Sequence, residues 1–405
     1  MSDVVPDSRF ARHDLIEGFD QQLVSKLRIG VIGAGAIGNE LVKNLLLVGV
    51  GTIDVFDYDT VELSNLTRSV FLRESDLGRN KAVALVNRAQ ELYPACTLNA
   101  IAGSIFDTLQ LSKAKTYDVI VGAIDNTEAR LRINDIALIT GVDWINLAID
   151  ARSTVVDVFA FKSSNSLAAC YACQLPDAVF ERMAKRYSCG GLQRAAYLQD
   201  TVPTTTITAS IAAAQGLSEL LRLVHARAGK ESGQFAAQPI AINQSSRRYF
   251  DTLSFVSSQS TIAHHADCAG CGLTPRKAHI EAPQDLALLR TILRKLSKIK
   301  TSHNEDALIK LSDPIITDAV CQLHAEHSPR NLRGERAARI TDSATWCAQC
   351  ADHSIAIEVQ SHFTADEFCA LLPQLKPNAL AWISLADTLI EFPTSPPRNN
   401  PHETH

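Results

Sequence analysis

The first part of the chain alternates short apolar runs with stretches of helical apolar spacing. RIGVIGAGAIG (28–38) is typical of a buried strand that enters a glycine turn, and NELVKNLLLVGV (39–50) continues as a helix. Further strands are predicted at TIDVFDYD (52–59), TLNAIA (97–102), YDVIVGAID (117–125) and WINLAIDARSTVVDVFAF (144–161). Helices are predicted at KAVALVNRAQELY (81–93) and TTTITASIAAAQGLSELLRLVHARAG (204–229). This alternation predicts a Rossmann-like α/β domain with a mostly parallel sheet and helices on both faces.

The pattern changes at about Pro275. LALLRTILRKLSKIK (286–300) has the spacing of a basic amphipathic helix, and strands are predicted at 354–363 and 379–387. The end, PTSPPRNNPHETH (393–405), is polar and rich in proline. We therefore expect a first domain over 1–275, a small α+β domain over 276–392 and a disordered tail over 393–405.

Composition excludes several classes of protein. Of the 405 residues 46% are hydrophobic and 20% charged, and the net charge of -5 offers no basic footprint for nucleic acid. No stretch reaches the roughly 20 apolar residues of a membrane span, and the N-terminus lacks a signal-peptide layout. These features predict a cytoplasmic protein without nucleic-acid or membrane partners.

The glycine turn indicates a nucleotide. Gly33, Gly35 and Gly38 have the G-x-G-x-x-G spacing that lets a phosphate approach the backbone at a helix N-terminus, and Asp57 ends the next strand, where it can bind a ribose hydroxyl. The motif fits NAD and ATP equally well. Taken alone, it favours a nicotinamide-dependent oxidoreductase.

Three further motifs change that interpretation. DYDTVELSNLTRSVF (57–71), GRNK (78–81) and AIDNTEARLRIN (123–134) follow the glycine turn in order. From Arg9 to about Cys271 the chain resembles the ubiquitin-activating superfamily, including the adenylyltransferases that activate sulfur carriers for molybdopterin and thiamine synthesis. The resemblance implies an enzyme that uses ATP and Mg²⁺ to adenylate the C-terminal carboxylate of a ubiquitin-like or sulfur-carrier protein.

The resemblance also implies roles for individual residues. Asn65, Arg68 and Lys81 match residues that contact the phosphates, and Asp125 matches an aspartate that contacts the metal and the phosphates. Asp125 follows an apolar strand and is expected at the carboxyl end of the sheet, where ligands of α/β folds bind. Asn126 also matches the family pattern, as do Arg130 and Asn134. The alternatives are a solvated loop for the cations and a helix cap for Asp125.

Two more residues are assigned through the resemblance. In RFARH (9–13), Arg12 matches an arginine that reaches across a homodimer into the neighbouring ATP site, which implies a dimer. Cys189, in YSCGGLQ, matches a cysteine that takes the acyl group as a thioester, although two glycines follow it where threonine is common. A buried structural cysteine is the alternative.

Six of the ten cysteines form C-x-x-C pairs, which a reducing compartment favours as metal sites. Cys170, Cys173, Cys268 and Cys271 supply four thiolates, enough for a structural zinc site. Cys347 and Cys350 form a third pair, which Cys321, Cys369 or a nearby histidine would complete; two ordinary buried thiols fit equally well.

Together these features predict a homodimer that adenylates a ubiquitin-like protein and passes it to Cys189 for conjugation. The C-terminal domain is a candidate for recruiting a partner, and a conjugating enzyme is an expected one. No rhodanese-type motif is recognisable, which favours bacterial ubiquitin-like conjugation, including systems directed against phage. Sulfur-carrier activation and peptide adenylation are alternatives within the fold, and a nicotinamide-dependent oxidoreductase or a non-catalytic scaffold are alternatives outside it.

Overall fold

The protein is described from a computed structural model. The described residues are 8–162, 168–180, 204–229, 244–268, 270–271, 278–283, 285–297, 308–327, 332–337, 347–351, 355–376, 379–385 and 388–392. Cys189 and the predicted tail over 393–405 lie outside them. Within them, no helix combines the length and apolarity needed to cross a membrane.

The chain divides into two compact units, Met1–Gln174 with Val202–Thr274 and Leu175–Thr201 with Pro275–His405. The first unit contains an eight-stranded sheet in the order β3-β2-β1-β4-β5-β6-β7-β8. Its strands are β1 (Arg28–Ile32), β2 (Thr52–Asp57), β3 (Thr97–Ala102), β4 (Val119–Gly122), β5 (Asp143–Ile149), β6 (Ser153–Phe159), β7 (Ser246–Asp251) and β8 (Ser257–Thr261). The first five strands in that order pair in parallel and the remaining pairs are antiparallel. The predicted mostly parallel α/β sheet is confirmed.

The predicted strand over 144–161 is in fact a hairpin of β5 and β6. Asp150 closes the turn: its carboxylate accepts the backbone N–H groups of Arg152 (2.8 Å) and Ser153 (2.7 Å) and the Ser153 hydroxyl (2.6 Å). Aspartate stabilises turns by such bonds to the following backbone. Both strands are largely buried, so the apolar pattern continues through the turn and hides it.

The helices of the first unit are α1 (Gln21–Val24), α2 (Ala36–Val48), α3 (Lys81–Ala89), α4 (Ile105–Thr108), α5 (Leu111–Ala114), α6 (Thr127–Thr140) and α7 (Thr206–Arg227). α7 packs against α2 and against strands β5 and β6. At Gly216 the approach is so close that an added Cβ would lie 2.8 Å from the Leu147 side chain. The small residues of α7 thus serve packing within the unit.

The second unit contains a five-stranded sheet in the order β11-β10-β12-β13-β9, antiparallel except for the β13–β9 pair. Its elements are β9 (Ala278–Glu281), α8 (Leu286–Ser297), β10 (Ile309–Cys321), β11 (Ile355–Phe363), α9 (Ala365–Leu371), β12 (Trp382–Leu385) and β13 (Thr388–Glu391). The helices α8 and α9 pack together. One apolar cluster surrounds Leu293 and Phe368, and a smaller one surrounds Ile316 and Ile355. The predicted small α+β domain is confirmed.

Candidate active site

The glycine loop lies between β1 and α2, at the carboxyl end of the parallel sheet. β1 is paired with β2 on one side and β4 on the other, so the strand order reverses at this point. Ligands of open α/β sheets bind in the crevice at such a reversal. The loops that follow β1, β2 and β4 carry the predicted nucleotide-binding residues.

The three glycines meet different demands. Gly33 has a φ of +103°, and a Cβ there would lie 2.4 Å from the Ala123 carbonyl oxygen. A Cβ on Gly38 would lie 1.9 Å from the carbonyl oxygen of Gly33. A Cβ on Gly35 would meet no atom of the described residues within 4 Å. Gly33 and Gly38 are therefore required by the fold, whereas the space above Gly35 at the start of α2 fits a phosphate.

Two side chains hold the glycine loop in place. Asp57 accepts the Ala34 N–H (2.6 Å) at one carboxylate oxygen and the Asp59 N–H (2.8 Å) at the other. Burial raises the pKa of Asp57, while these backbone bonds oppose the rise. Asn39, fully buried in α2, donates to the Ala34 carbonyl (2.7 Å) and accepts the Phe71 N–H (3.1 Å). The sequence prediction missed Asn39, because a polar residue on an apolar helix carries no distinguishing signal.

Lys81 is the first residue of α3, and its ammonium pairs with Asp59 at 3.0 Å. Asn80 caps the helix by accepting the Val83 N–H, and its amide nitrogen donates to the Asp57 carbonyl at 2.9 Å. The N-terminus of α3 is thereby tied to the end of β2. Asp59, which pairs with Lys81 and orients it, is a second residue that the sequence prediction missed, although it lies within the motif at 57–71.

Asn65 and Arg68 lie in and just after a 3-10 helix (Leu63–Thr67) that follows β2. Asn65 accepts the Glu62 N–H at 3.0 Å, and the Arg68 guanidinium donates to the Ser64 carbonyl at 2.8 Å. Both side chains are partly exposed. Among the described residues their hydrogen bonds stay within this segment, so neither is bonded to the glycine loop.

Asp125 is exposed in the loop between β4 and α6. The cap of α6 is its neighbour Asn126, whose side chain accepts the Ala129 N–H at 3.1 Å. Arg130 donates to the Ile124 carbonyl at 2.5 Å and so fastens the same loop. Within the described part of the chain no hydrogen bond or ion pair engages the Asp125 carboxylate, which leaves this hard oxygen donor open to a cation such as Mg²⁺.

The N-terminal segment presents Arg12 to solvent. Arg9 donates to the Leu92 carbonyl (2.7 Å) and stacks over Tyr93 (4.8 Å to the ring centroid), and Phe10 packs edge-on against the same ring. Arg12 is exposed, and no hydrogen bond or ion pair joins it to another described residue. Cys189, the predicted acyl acceptor, lies outside the described residues.

The predicted zinc ligands come together. The Sγ atoms of Cys170, Cys173, Cys268 and Cys271 lie within 4.8 Å of one another, and all four residues are buried. The separations are 3.7 Å for Cys170–Cys268, 3.4 Å for Cys173–Cys271 and 4.0 Å for Cys170–Cys173. Thiolates at about 2.3 Å from a tetrahedral Zn²⁺ would lie about 3.8 Å apart. The four residues therefore fit a closed tetrahedral metal site.

Asn134, which also matches the family pattern, lies beside this cysteine cluster. Its carbonyl oxygen accepts the Tyr171 N–H at 2.8 Å, between Cys170 and Cys173 in sequence. Gly270 completes the packing, since a Cβ there would lie 2.9 Å from the Cys170 sulfur and 3.3 Å from the Asn134 amide nitrogen. Asn134 thus orients the first C-x-x-C turn.

Sequence comparison with known proteins identifies relatives of this chain. Adenylyltransferase and sulfurtransferase MOCS3 of Dictyostelium discoideum is 33% identical over 146 residues, covering 36% of this chain and 33% of that protein. The sulfur carrier protein adenylyltransferase of Thermus thermophilus is 31% identical over 157 residues, covering 38% and 58%. The NEDD8-activating enzyme E1 catalytic subunit of Caenorhabditis elegans is 39% identical over 113 residues, covering 28% and 26%. The matches thus span between about a quarter and three fifths of these relatives.

Solved structures share the fold. E. coli MccB with succinimide superposes with a TM-score of 0.51 at 18% identity, covering 66% of this chain and 75% of that one. MccB, the microcin C7 biosynthetic enzyme, in complex with N-formylated MccA gives a TM-score of 0.52 at 18% identity, covering 67% and 77%. The family model described as ThiF matches residues 8–263, most of the chain and all of the strands that form the first sheet. The chain therefore belongs to the ThiF family, within the ubiquitin-activating superfamily of adenylyltransferases.

Proposed function

We propose that this protein is an ATP-dependent adenylyltransferase that activates the C-terminal carboxylate of a small protein or peptide. The observation that carries the proposal is the placement of Lys81 and the exposed carboxylate of Asp125 at the same sheet edge as Gly35, above which the described residues leave open space. Membership of the ThiF family and the names of its relatives support it.

In the proposed reaction a carboxylate oxygen of the substrate attacks the α-phosphorus of ATP. A new O–P bond forms, the bond to the β-phosphate oxygen breaks, and pyrophosphate leaves with the electron pair. The α2 N-terminus and the Lys81 ammonium stabilise the negative charge on the phosphates. Stabilising this charge is the main contribution that a protein makes to adenylyl transfer. Asp59 holds Lys81 in place, and Asp57 and Asn39 keep the glycine loop rigid.

Magnesium, when bound, neutralises negative charge on the phosphates and orients them. Asp125 is the residue proposed to hold it, since its carboxylate is exposed and carries none of the helix-capping bonds, which Asn126 makes instead. Asn65 and Arg68 are proposed to turn toward the phosphates on binding, since among the described residues each is held only by bonds within its own segment.

Calorimetric titration with ATP plus Mg²⁺ and, separately, with NAD tests the nucleotide. We expect the wild type to bind ATP plus Mg²⁺ and not NAD. Lys81→Ala and Asp125→Ala should each weaken ATP binding at least tenfold and leave the circular dichroism spectrum unchanged. Arg79→Ala is the matched control, because Arg79 is exposed in the same motif and pairs with Asp76. Binding of NAD in place of ATP contradicts the proposal and supports an oxidoreductase.

A narrower proposal concerns the substrate and Cys189. The substrate is proposed to be a ubiquitin-like protein, and the Cys189 thiolate to attack the acyl carbon of the adenylate, forming a C–S bond as AMP leaves. The resemblance to ubiquitin-activating enzymes supports it, as does the matching of SUMO- and NEDD8-activating subunits. Delivery to a conjugating enzyme, including in a system against phage, is the corresponding biological proposal.

Pyrophosphate exchange into ATP separates the steps when measured with ubiquitin-like proteins, sulfur carriers and short peptides as candidate substrates. Cys189→Ala should keep the exchange and lose a reductant-sensitive adduct with the ubiquitin-like substrate on a non-reducing gel. Exchange without any adduct in the wild type would limit the enzyme to adenylation, as expected for sulfur-carrier or peptide activation.

Two structural proposals accompany the activity. The Cys170, Cys173, Cys268 and Cys271 cluster is proposed to hold a structural Zn²⁺, supported by the fit of its sulfur separations to a tetrahedron. The enzyme is proposed to be a homodimer in which Arg12 enters the partner's nucleotide site, supported by the exposure of this side chain beside an anchored Arg9.

A further inference from the structure

A second cluster of metal-ligating side chains lies in the C-terminal unit. Cys321 is the last residue of β10, and His327 ends the 3-10 helix Ala325–His327 that follows. Cys347 and Cys350 precede β11 in sequence. The ligand atoms of these four residues all lie within 4.8 Å of one another.

The separations agree with a shared metal ion. The Sγ atoms of Cys321 and Cys350 are 3.7 Å apart, and His327 Nδ1 lies 3.2 Å from the Cys350 sulfur. Sulfur ligands of a tetrahedral Zn²⁺ lie about 3.8 Å apart, and a nitrogen ligand lies somewhat closer because Zn–N bonds are shorter. The sulfur atoms are much too far apart for a disulfide, which needs about 2.05 Å.

The histidine is oriented as a ligand. Its Nδ1 faces the cysteine sulfur, while its Nε2 lies 4.0 Å from a carboxylate oxygen of Glu326. The Glu326 carboxylate is beyond hydrogen-bond distance of this nitrogen and lies closer to His324 Nδ1, at 3.4 Å, so it does not fix the His327 ring. The orientation of His327 as a ligand rests on its Nδ1 alone.

A comparison within the same unit argues against ordinary buried thiols. Cys369 is also buried, but it packs in the larger apolar cluster of this unit, around Leu293 and Phe368. Cys321 and Cys347 are members of the smaller cluster and Cys350 packs against it, but these three cysteines also converge with His327, and no such group of ligands includes Cys369 among the described residues. Convergence of three thiols and an imidazole is the donor set of a structural zinc site.

We propose that Cys321, His327, Cys347 and Cys350 form a second structural zinc site. Four protein ligands close the tetrahedron and leave no position for water or substrate, so the ion stabilises structure and does not catalyse. Binding releases the three thiol protons to solvent as the sulfurs become thiolates. The ion would tie the end of β10 to the segment before β11 and so fix the long connection between these paired strands.

Zinc content of the full-length protein, purified without chelators, tests the site. We expect two zinc ions per chain in the wild type, one in Cys350→Ser and one in Cys170→Ser, since each variant removes one ion. Cys369→Ser is the matched control and should keep both. A wild type with a single zinc ion that Cys170→Ser removes and Cys350→Ser does not would overturn the second site, as would two ions in Cys350→Ser.

Cobalt substitution keeps the test decisive if Cys350→Ser fails to fold. In Cys170→Ser loaded with Co²⁺, three thiolates and one imidazole should give the visible d–d absorption of a tetrahedral site. His327→Cys on that background should retain the metal and shift the d–d bands to those of four thiolates. Absence of tetrahedral bands, or bands unchanged by His327→Cys, would contradict the proposed ligand set. Neither readout depends on adenylation activity.

Discussion

At the scale of single residues, the glycine loop separates two requirements that the sequence motif combines. Gly38 is needed because its Cα lies against the Gly33 carbonyl, where an added Cβ would be 1.9 Å from the oxygen. Gly35 faces open space, and nothing in the described protein restricts a side chain there. The motif spacing predicts both glycines, but only the structure shows that one serves packing and the other leaves room for a ligand.

Alanine substitutions at Gly38 and Gly35 should therefore affect different properties, which are folding stability at Gly38 and ATP binding at Gly35. Gly38→Ala should lower the free energy of unfolding by about 1–3 kcal/mol or more, because adding a side chain to a filled site usually costs that much. Gly35→Ala should leave that free energy within about 0.5 kcal/mol, as for a surface substitution, but weaken ATP binding at least tenfold. Urea denaturation and calorimetric titration measure the two effects. Wild-type ATP affinity in Gly35→Ala would contradict the placement of a phosphate above this residue.

At the scale of secondary-structure elements, a buried carboxylate in the middle of β2 joins the neighbouring elements. Asp54 accepts the Tyr117 hydroxyl (2.8 Å), the Asn99 amide of β3 (2.7 Å) and the Lys113 ammonium of α5 (2.7 Å). Burial alone would raise the pKa of Asp54, but these three donors outweigh it and hold the pKa below its ordinary value. The ionised form is thus the one that the fold stabilises.

Tyr117→Phe should lower the free energy of unfolding at pH 7 by about 1–3 kcal/mol, because it leaves a buried charge with one donor fewer. The pKa of Asp54 is lower in the folded state, so its contribution is complete above the unfolded value of about 4 and is lost as pH falls through the folded value. The difference between wild type and Tyr117→Phe should therefore shrink between pH 7 and pH 3. Urea titrations at both pH values measure it.

Tyr93→Phe is the control for this prediction, since the Tyr93 ring packs on Phe10 and Arg9 while its hydroxyl bonds to no described residue. Its free energy of unfolding should change by less than about 0.5 kcal/mol, as for a surface substitution. An equal loss in both variants, or a loss in Tyr117→Phe that is independent of pH, would show that ring packing and not the charged hydrogen bond is responsible.

Prediction from the sequence succeeded where burial is one-sided or complete. β1, β2 and β4 have nearly continuous apolar patterns, and each is present, as is the predicted strand β3, of which only Leu98 is buried. The long helix α7 was also predicted and is present. β7 and β8 were missed because most of their side chains are polar and at least partly exposed, so neither strand shows an apolar pattern. β10 was missed because Asp313-Pro314 resembles a break, whereas the strand continues through a register shift and buries Asp313 against Arg336 at 3.7 Å.

The candidate site divides in the same way. Residues with a motif of their own, such as Gly33 and Lys81, lie at the carboxyl end of the sheet, and their contact with a nucleotide stays a prediction. Asn39 and Asp59 were missed because their contribution is to hold other residues, which only the tertiary contacts reveal. Asn134 was noted only as a match to the family pattern, and its contact with the cysteine cluster appears only in the structure, because α6 begins at the Asp125 loop and later passes that cluster.

At the scale of the whole molecule, the N-terminal segment is anchored so that one arginine is held out from it. Phe10 stacks on His13, whose Nδ1 lies 2.8 Å from the Gln21 amide oxygen, and an added Cβ on Gly49 would lie 2.5 Å from the Phe10 ring. This packing fixes the backbone on both sides of Arg12, whose side chain remains exposed. A cation that is exposed on a fixed backbone and has no partner among the described residues is suited to binding an anion that another molecule supplies.

If that anion is the ATP bound in the partner subunit, two variants that are each inactive should regain activity when they form a mixed dimer. Arg12→Ala and Asp125→Ala should each abolish substrate-dependent pyrophosphate exchange, since one removes the cation given to the partner and the other removes the metal ligand of the site itself. In a mixed dimer, one site combines an intact Arg12 with an intact Asp125. Equimolar mixing after subunit exchange should therefore recover about a quarter of wild-type exchange, since half the dimers are mixed and each of these holds one working site.

The mixture is interpretable only if the wild type is a dimer by light scattering and if its subunits exchange, which differently tagged copies establish by co-purification. Lys81→Ala is the comparison variant, because Lys81 pairs with Asp59 of its own chain in the same proposed site as Asp125, so its mixture with Asp125→Ala should recover no exchange. Activity that stays at the level of the separate variants in proven mixed dimers would place Arg12 in its own subunit's chemistry. Recovery confined to the Arg12→Ala and Asp125→Ala pair would instead make each nucleotide site the product of two chains.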